Sequence, residues 1–346
     1  MHAVILAGGK GTRLRPLTVY TPKPAVPIVN RAFLLYQVEM LRRAGIDEIT
    51  LSLSYQPDKI EQILGDGAEL GVNLRFITEP SPLGTGGAYR FAADGIDDTT
   101  VVLNGDILTD LDLAALIEAH RTRGAAATLA LKPVEDPSRY GLVVTREDGT
   151  IENFLEKPTR ESISDLPSNT INAGIYVLEP SIMDLVPLGE NRSFEYDVFP
   201  VILERGLPFY GYTMDHEYWR DIGVPESYLN ANLDMLSGRL KGFAAQPNGD
   251  ADIATAAAID SRSRFAAGVV VKPGAKILNS VLGPGVQIGE KTVIEDSVIW
   301  AHTRVASGAE VSGAVIGRSC HIGRNATIRP GSVLGDKSQL TDYTKV

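Results

Sequence analysis

Residues 3–18 read Ala-Val-Ile-Leu-Ala-Gly-Gly-Lys-Gly-Thr-Arg-Leu-Arg-Pro-Leu-Thr. Ala3–Leu6 is an unbroken apolar run, the pattern of a strand buried on both faces. The chain leaves it directly into three glycines within four residues, Gly8, Gly9 and Gly11. Glycines there let backbone N–H groups approach an anion closely. Lys10, Arg13 and Arg15 add cationic donors. No Gly-Lys-Ser/Thr follows at P-loop spacing, and the third glycine of a dinucleotide fingerprint would fall at Leu14, so the loop is neither of these.

Outward from this loop, strand and helix patterns alternate. Phe33, Leu34, Val38, Leu41 and Ala44 recur at helical spacing, and Ile49, Leu51 and Leu53 alternate with polar residues as in a strand. Leu74–Ile77 and Val101–Leu103 read as strands, Ala88–Ala93 and Leu113–Ile117 as helices. Such βα alternation predicts a mostly parallel, Rossmann-like sheet. Leu142–Thr145, Ile151–Glu156 and Ile171–Leu178 read as strands joined less regularly, and Ser227–Leu236 as a closing helix.

The pattern changes near residue 240. Gly238–Asp250 holds three Gly and one Pro and reads as a linker. Beyond it apolar residues fall six apart at Ile253, Ile259, Phe265, Val271 and Ile277. They continue as Leu282, Ile288, Ile294; Ile299, Val305, Val311; and Ile316, Ile322, Ile328, each set 17 residues after the last. A 6+6+5 period is one coil of three short strands, the signature of a hexapeptide-repeat parallel β-helix. The expected domains are therefore residues 1–238 and residues 250–346. The second is expected to serve oligomerisation or regulation.

The 346 residues carry a net charge of −10, which disfavours nucleic acid or an anionic membrane as partner. One cysteine, Cys320, excludes an internal disulfide framework and fits a reducing compartment. HAVILA is too short for a signal-peptide core, and no apolar run approaches a membrane span. A cytoplasmic homo-oligomer is expected.

The segment Leu6–Thr18 resembles the signature of the nucleoside-diphosphate-sugar pyrophosphorylases, the sugar-phosphate nucleotidyltransferases. The resemblance continues in order through Thr21-Pro22-Lys23-Pro24, Pro82–Ala88, Leu103-Asn104-Gly105-Asp106 and Tyr140-Gly141. It then runs through Glu156-Lys157-Pro158, Asn172-Ala173-Gly174, Phe194–Asp197 and Trp219–Gly223. A β-helix after the catalytic domain also occurs in that family. Glu135–Gly141 and Val198-Phe199-Pro200 are most similar to the branch that joins GTP to mannose 1-phosphate. The rivals are branches making dTDP-, UDP- or ADP-glucose and, from another class, a silent sugar-nucleotide sensor. A sensor would be expected to lose the phosphate and metal residues that this chain retains.

The resemblance implies attack of a sugar 1-phosphate oxygen on the α-phosphorus of a nucleoside triphosphate, with Mg²⁺. It implies Arg13, Lys23 and Asp106 as catalytic residues. The nucleotide would also meet Leu6, Ala7, Gly8, Gly9, Gly11, Thr12, Glu79, Pro82 and Gly84. Gly141, Glu156, Lys157, Asn172 and Asp197 would hold the sugar phosphate, and Asp106 and Asp221 the metal. Lys10 and Arg15 are possible helpers in phosphate binding. Glu79 bears on the base: a carboxylate only accepts hydrogen bonds, which suits the adjacent N1–H and N2–H₂ donors of guanine better than thymine or uracil. Asp110 and Asp112 are expected to cap a helix rather than bind metal. His302 and His321 are read as lying in β-helix turns, where other β-helices carry acyl-transfer histidines, but no inserted loop accompanies them. His2, His120 and His216 lack metal-ligand spacing.

Overall fold

The computed structural model describes residues 1–159, 168–245 and 247–346. The chain forms two compact units, one of Met1–Gly9 with Leu34–Trp219 and one of Lys10–Phe33 with Arg220–Val346. The glycine loop passes from the first to the second between Gly9 and Lys10.

In the first unit, β1 (His2–Leu6), β2 (Glu48–Leu53), β3 (Asn73–Thr78) and β4 (Thr100–Asn104) form a parallel block in the order β4-β1-β2-β3. Ala3, Val4 and Ile5 of β1 are fully buried, as expected of a parallel strand covered on both faces. The sheet continues antiparallel from β4. β5 (Ala127–Pro133), β6 (Gly141–Thr145), β7 (Ile151–Glu156) and β8 (Thr170–Leu178) join it, with β8 beside β4, and β9 (Phe209–Thr213) runs parallel to β5. The less regular strands of the sequence are these antiparallel additions. The helices α1 (Leu34–Arg43), α2 (Pro57–Leu64), α3 (Gly84–Ala92) and α4 (Leu113–Arg123) fill the crossovers. Phe194, Phe199, Tyr176 and Phe209 pack in a buried cluster, with ring centroids 5.3–5.5 Å apart.

In the second unit the repeat forms three parallel stacks. The inward ladders are Ile253, Val271, Ile288, Val305, Ile322, Leu340; then Ile259, Ile277, Ile294, Val311, Ile328; then Phe265, Leu282, Ile299, Ile316, Leu334. The residues foreseen from the period are the ones that stack. The last coil is one residue longer, so Ile316 pairs with Leu334. The corners recur as left-handed residues, for example Gly268, Gly285, His302, Ser319 and Lys337, which turn the chain once per coil. His302 is thus a corner, but His321 lies in the strand His321–Ile322 and not in a turn, because its neighbour Ile322 belongs to the inward ladder. The closing helix, α6 (Pro225–Leu236), also belongs to this unit; the short α5 (Phe199–Glu204) belongs to the first.

Candidate active site

In the first unit, β1 delivers Leu6, Ala7 and Gly8 to its C-terminal end, where open α/β sheets bind ligands. Gly105 donates its N–H to Leu6 C=O at 2.8 Å, and a Cβ on Gly105 would lie 2.7 Å from that oxygen. The turn Asn104–Ile107 is held by buried Gln37, whose side-chain amide donates to the Asn104 and Ile107 carbonyls at 2.8 and 3.0 Å. Asp106 sits in that turn, half-buried. Around Gly9 no atom lies within 4 Å of a would-be Cβ, so the space beside this backbone is open.

Glu79, at the end of β3, turns inward to the loop. Its Oε1 accepts from Ser52 Oγ at 3.0 Å and its Oε2 from Leu83 N–H at 3.3 Å. Ser54 donates to Gly8 C=O, so the two serines of β2 and its end order both the carboxylate and the loop. Gly84 is left-handed (φ 70°), and a Cβ there would strike Arg192 C=O at 2.5 Å. Pro82 C=O accepts from Asn191 Nδ2 at 2.8 Å. This glycine-rich segment is shaped, in this structure, by close packing on residues 190–192.

A second group lies on β6, β7 and β8. Gly141 pairs with Glu156, and a Cβ on Gly141 would meet Glu156 Oε2 at 2.8 Å. Lys157, left-handed at φ 48°, reaches Glu156 at 3.4 Å. Burial first, and then the Glu195 carboxylate, raises the Glu156 carboxyl above its ordinary value, against the Lys157 charge. Asn172 stands at a register shift of β8; its side chain donates to Tyr176 Oη at 2.9 Å and accepts from Gly174 N–H at 3.0 Å. Bulges of this kind re-aim side chains beside active sites. Asp197 accepts from the Ser193 N–H at 2.7 Å, the residue that caps the turn Phe194–Val198.

In the second unit, Gly11 is left-handed at φ 61°, and a Cβ on it would stand 3.0 Å from Lys23 Cβ. Thr12–Leu14 follows as a single turn anchored by buried Leu14, leaving Arg13 exposed. Lys10 and Arg15 are exposed too. Asp221 receives both cations: Lys23 Nζ at 3.8 Å and Arg13 Nη2 at 3.9 Å. Gly223 makes room for this, since a Cβ there would lie 2.9 Å from Asp221 Oδ2 and 3.0 Å from Arg13 Nη2. Lys23 is only 10% exposed along its side chain, so it is committed to this setting rather than to solvent.

Two comparisons decide the class. The nucleotidyl transferase family model matches residues 2–238. The chain belongs to the nucleotidyl transferase family. Residues 247–346 match the EIF2B subunit epsilon LbH domain. The chain is 39% identical to a mannose-1-phosphate guanylyltransferase of Mycobacterium tuberculosis, over 90% of this chain and 83% of that one. It is 36% identical to a UTP–glucose-1-phosphate uridylyltransferase of Synechocystis, over 92% and 88%. A crystal structure from Bacillus anthracis, assigned provisionally as a glucose-1-phosphate thymidylyltransferase and complexed with sucrose, aligns with TM-score 0.60 and 26% identity, over 67% and 94%.

Sequence reasoning passed over Gln37 and the roles of Ser52 and Ser54, and quoted Gly105 and Gly223 within motifs without giving them a role, though all five organise these groups. Gln37 carried a signal, a polar residue on the apolar stripe of α1 between Leu34 and Leu41. Asp112 caps α4 through Ala115 N–H, as expected, but Asp110 does not: its Oδ1 accepts from Tyr218 N–H at 2.6 Å. His120 is a core residue between Thr128 and Glu179, and His2 bonds Thr50. Among the described residues no three His, Cys, Asp or Glu side chains gather as a metal cage. Asp106 in the first unit and Asp221 in the second each carry a carboxylate, a donor type that suits a hard cation.

Proposed function

We propose that this chain transfers the guanylyl group of GTP to mannose 1-phosphate, giving GDP-mannose and pyrophosphate. A phosphate oxygen of the sugar 1-phosphate bonds to the α-phosphorus, and the bond from that phosphorus to the bridging oxygen of the β-phosphate breaks. The observation that carries the base assignment is the Glu79 carboxylate fixed beside the Leu6–Gly8 backbone. Each of its oxygens accepts one protein hydrogen bond and keeps a lone pair, so it receives donors and offers none. The Mycobacterium relative supports the same base and sugar.

In this reading Arg13 holds the β- and γ-phosphates through its forked donors and steadies the leaving pyrophosphate. Lys10 and Arg15 assist at the surface. Lys23, stiffened between two prolines, takes the α-phosphate. Backbone N–H groups of Gly8, Gly9, Gly11 and Thr12 line the triphosphate, with Pro82 and Gly84 at its edge. Glu156 accepts sugar hydroxyls, Lys157 holds the sugar phosphate, and Gly141 and Asn172 shape the pocket wall. Asp197, through Ser193 and Arg192, keeps the adjoining turn in place. Asp106 and Asp221 are the proposed Mg²⁺ ligands. When bound, Mg²⁺ neutralises phosphate charge and orients the triphosphate. The rate then comes from positioning and charge neutralisation rather than covalent chemistry.

We further divide the chain functionally into residues 1–238, carrying the chemistry, and 250–346, serving assembly of a homo-oligomer or regulation. The cytoplasm is the proposed compartment, supported by the single buried Cys320. No described helix is long and apolar enough to cross a membrane.

The test is pyrophosphate release with Mg²⁺ across GTP, dTTP, UTP and ATP, each with mannose 1-phosphate and glucose 1-phosphate. The expected signal is dominated by GTP with mannose 1-phosphate. The Synechocystis relative favours a second reading, uridylyl transfer, and a dominant UTP–glucose signal would establish that instead. Silence in every well with tight nucleotide binding would establish the sensor.

A further inference from the structure

The turn Lys23–Ala25 leads into a hairpin, Pro27–Ile28 against Arg31–Ala32. Its two central residues, Val29 (φ 43°) and Asn30 (φ 64°), are both left-handed. This geometry normally takes Asn-Gly. A β-branched valine there is strained, and persists only where its surroundings over-determine it.

The surroundings come from α6 and the β-helix. Buried Asn232 accepts the Val29 N–H at 2.8 Å, and Asn30 Nδ2 donates to Leu282 C=O at 3.0 Å. The Trp300 indole donates to Tyr228 Oη at 2.9 Å, and Tyr228 donates in turn to Pro27 C=O. An indole N–H can only donate, so the tyrosine proton is committed to Pro27. Both rings are buried, edge to face at 6.2 Å, and the Arg318 guanidinium lies 5.4 Å from the Trp300 centroid. Earlier in the segment, Pro16 abuts Gly335, where a Cβ would come within 2.9 Å of its ring, and Lys337 Nζ stands 5.7 Å from the Tyr20 centroid. Leu282, Trp300, Arg318 and Gly335 belong to successive coils, each at or just beyond the strand of one stack. Residues 16–30 are therefore laid along one edge of the β-helix.

We propose that this edge positions the triphosphate-binding segment, with Tyr228 and Trp300 as positioning residues for Lys23 and Arg13. The coupling is short. Phe33 N–H bonds Val26 C=O at 2.9 Å, Val26 N–H bonds Lys23 C=O at 3.2 Å, and Gly11 has no slack against Lys23 Cβ. The β-helix thus serves the reaction as well as any assembly. This inference rests on the reading of Arg13 and Lys23 as phosphate-binding residues.

The test uses the full chain, with initial rates against GTP and against mannose 1-phosphate, and melting curves for each variant. Tyr228→Phe is expected to raise the GTP KM and lower kcat by about three- to tenfold in kcat/KM, the size of one lost buried hydrogen bond. The mannose 1-phosphate KM should stay within about twofold. Trp300→Phe should act in the same direction, and the double variant should be no worse than Tyr228→Phe, since the two bonds act in series. Trp300→Phe keeps a ring in the buried place and carries the test if Tyr228→Phe does not fold. A fall in kcat matching only the folded fraction, with both KM values unchanged, would overturn the proposal and leave a mere brace. Lys23→Ala measured alongside separates the two readings: wild-type GTP kinetics in that variant would overturn the phosphate assignment itself.

Discussion

The Glu79 carboxylate lies against Gly8: a Cβ placed on Gly8 would stand 2.8 Å from Glu79 Oε1 and 2.9 Å from Ser54 Oγ. Gly8→Ala therefore displaces both side chains at once and is expected to weaken GTP binding by about tenfold or more, on the scale of one or two misplaced hydrogen bonds. Glu79→Gln keeps the shape and adds a donor. It is expected to lower the GTP-to-UTP ratio of kcat/KM by about tenfold. An unchanged nucleotide ranking would refute the base assignment.

Asp221 stands where Lys23 and Arg13 converge, and Gly223 is the residue that permits it. Gly223→Ala should push the exposed Arg13 aside, raising the GTP KM and lowering kcat, with little change in melting temperature. Asp221→Asn and Asp106→Asn should each raise the Mg²⁺ concentration for half-maximal rate, by about tenfold on the scale of a lost charged ligand contact. A magnesium titration of either variant that overlays wild type would remove that residue from the metal.

Burial, and then Glu195, raises Glu156 above the ordinary value of 4.5. A sugar site that needs Glu156 ionised loses activity as pH falls through this raised value, so its acid limb lies above that of an ordinary glutamate. Glu195→Gln removes the second cause and leaves the first. The limb in kcat/KM for mannose 1-phosphate should move to lower pH, but not fully to 4.5. The stability sign is opposite to that of a salt-bridged acid: ionising Glu156 opposes folding, so its contribution is most favourable below 4.5 and is lost as pH rises through the folded value.

Buried serines form a ladder in the β-helix. Ser263 Oγ accepts Ser280 N–H, Ser280 Oγ accepts Ser297 N–H, and Ser297 Oγ accepts Ala314 N–H, each at 3.1 Å. Ser297→Ala leaves the Ala314 N–H buried without that partner and should cost about 1–3 kcal/mol. Denaturant melts of the full chain measure it; a loss no larger than that of an exposed serine would show that the ladder contributes little.

The β-helix was legible residue by residue, because each coil repeats one local requirement: an inward aliphatic every five or six positions. Only the added residue before Leu334 and the strand placement of His321 escaped the period. The parallel block was legible for a related reason, since Ala3–Ile5 and Ile49, Leu51 and Leu53 are buried positions filled by apolar residues. The motifs named candidate side chains from Arg13 to Asp221. They could not say what each side chain touches.

The amino-acid order alone determined the two fold patterns and the glycine loop, since strand burial, coil period and glycine freedom are local properties written in neighbouring residues. Tertiary structure alone decided that Glu79 turns to Gly8, that Asp110 serves Tyr218 rather than a helix end, and that Val29 is held left-handed by Asn232, 203 residues away. Those outcomes depend on which donors and acceptors the fold brings within about 3 Å, a distance that no spacing along the chain encodes.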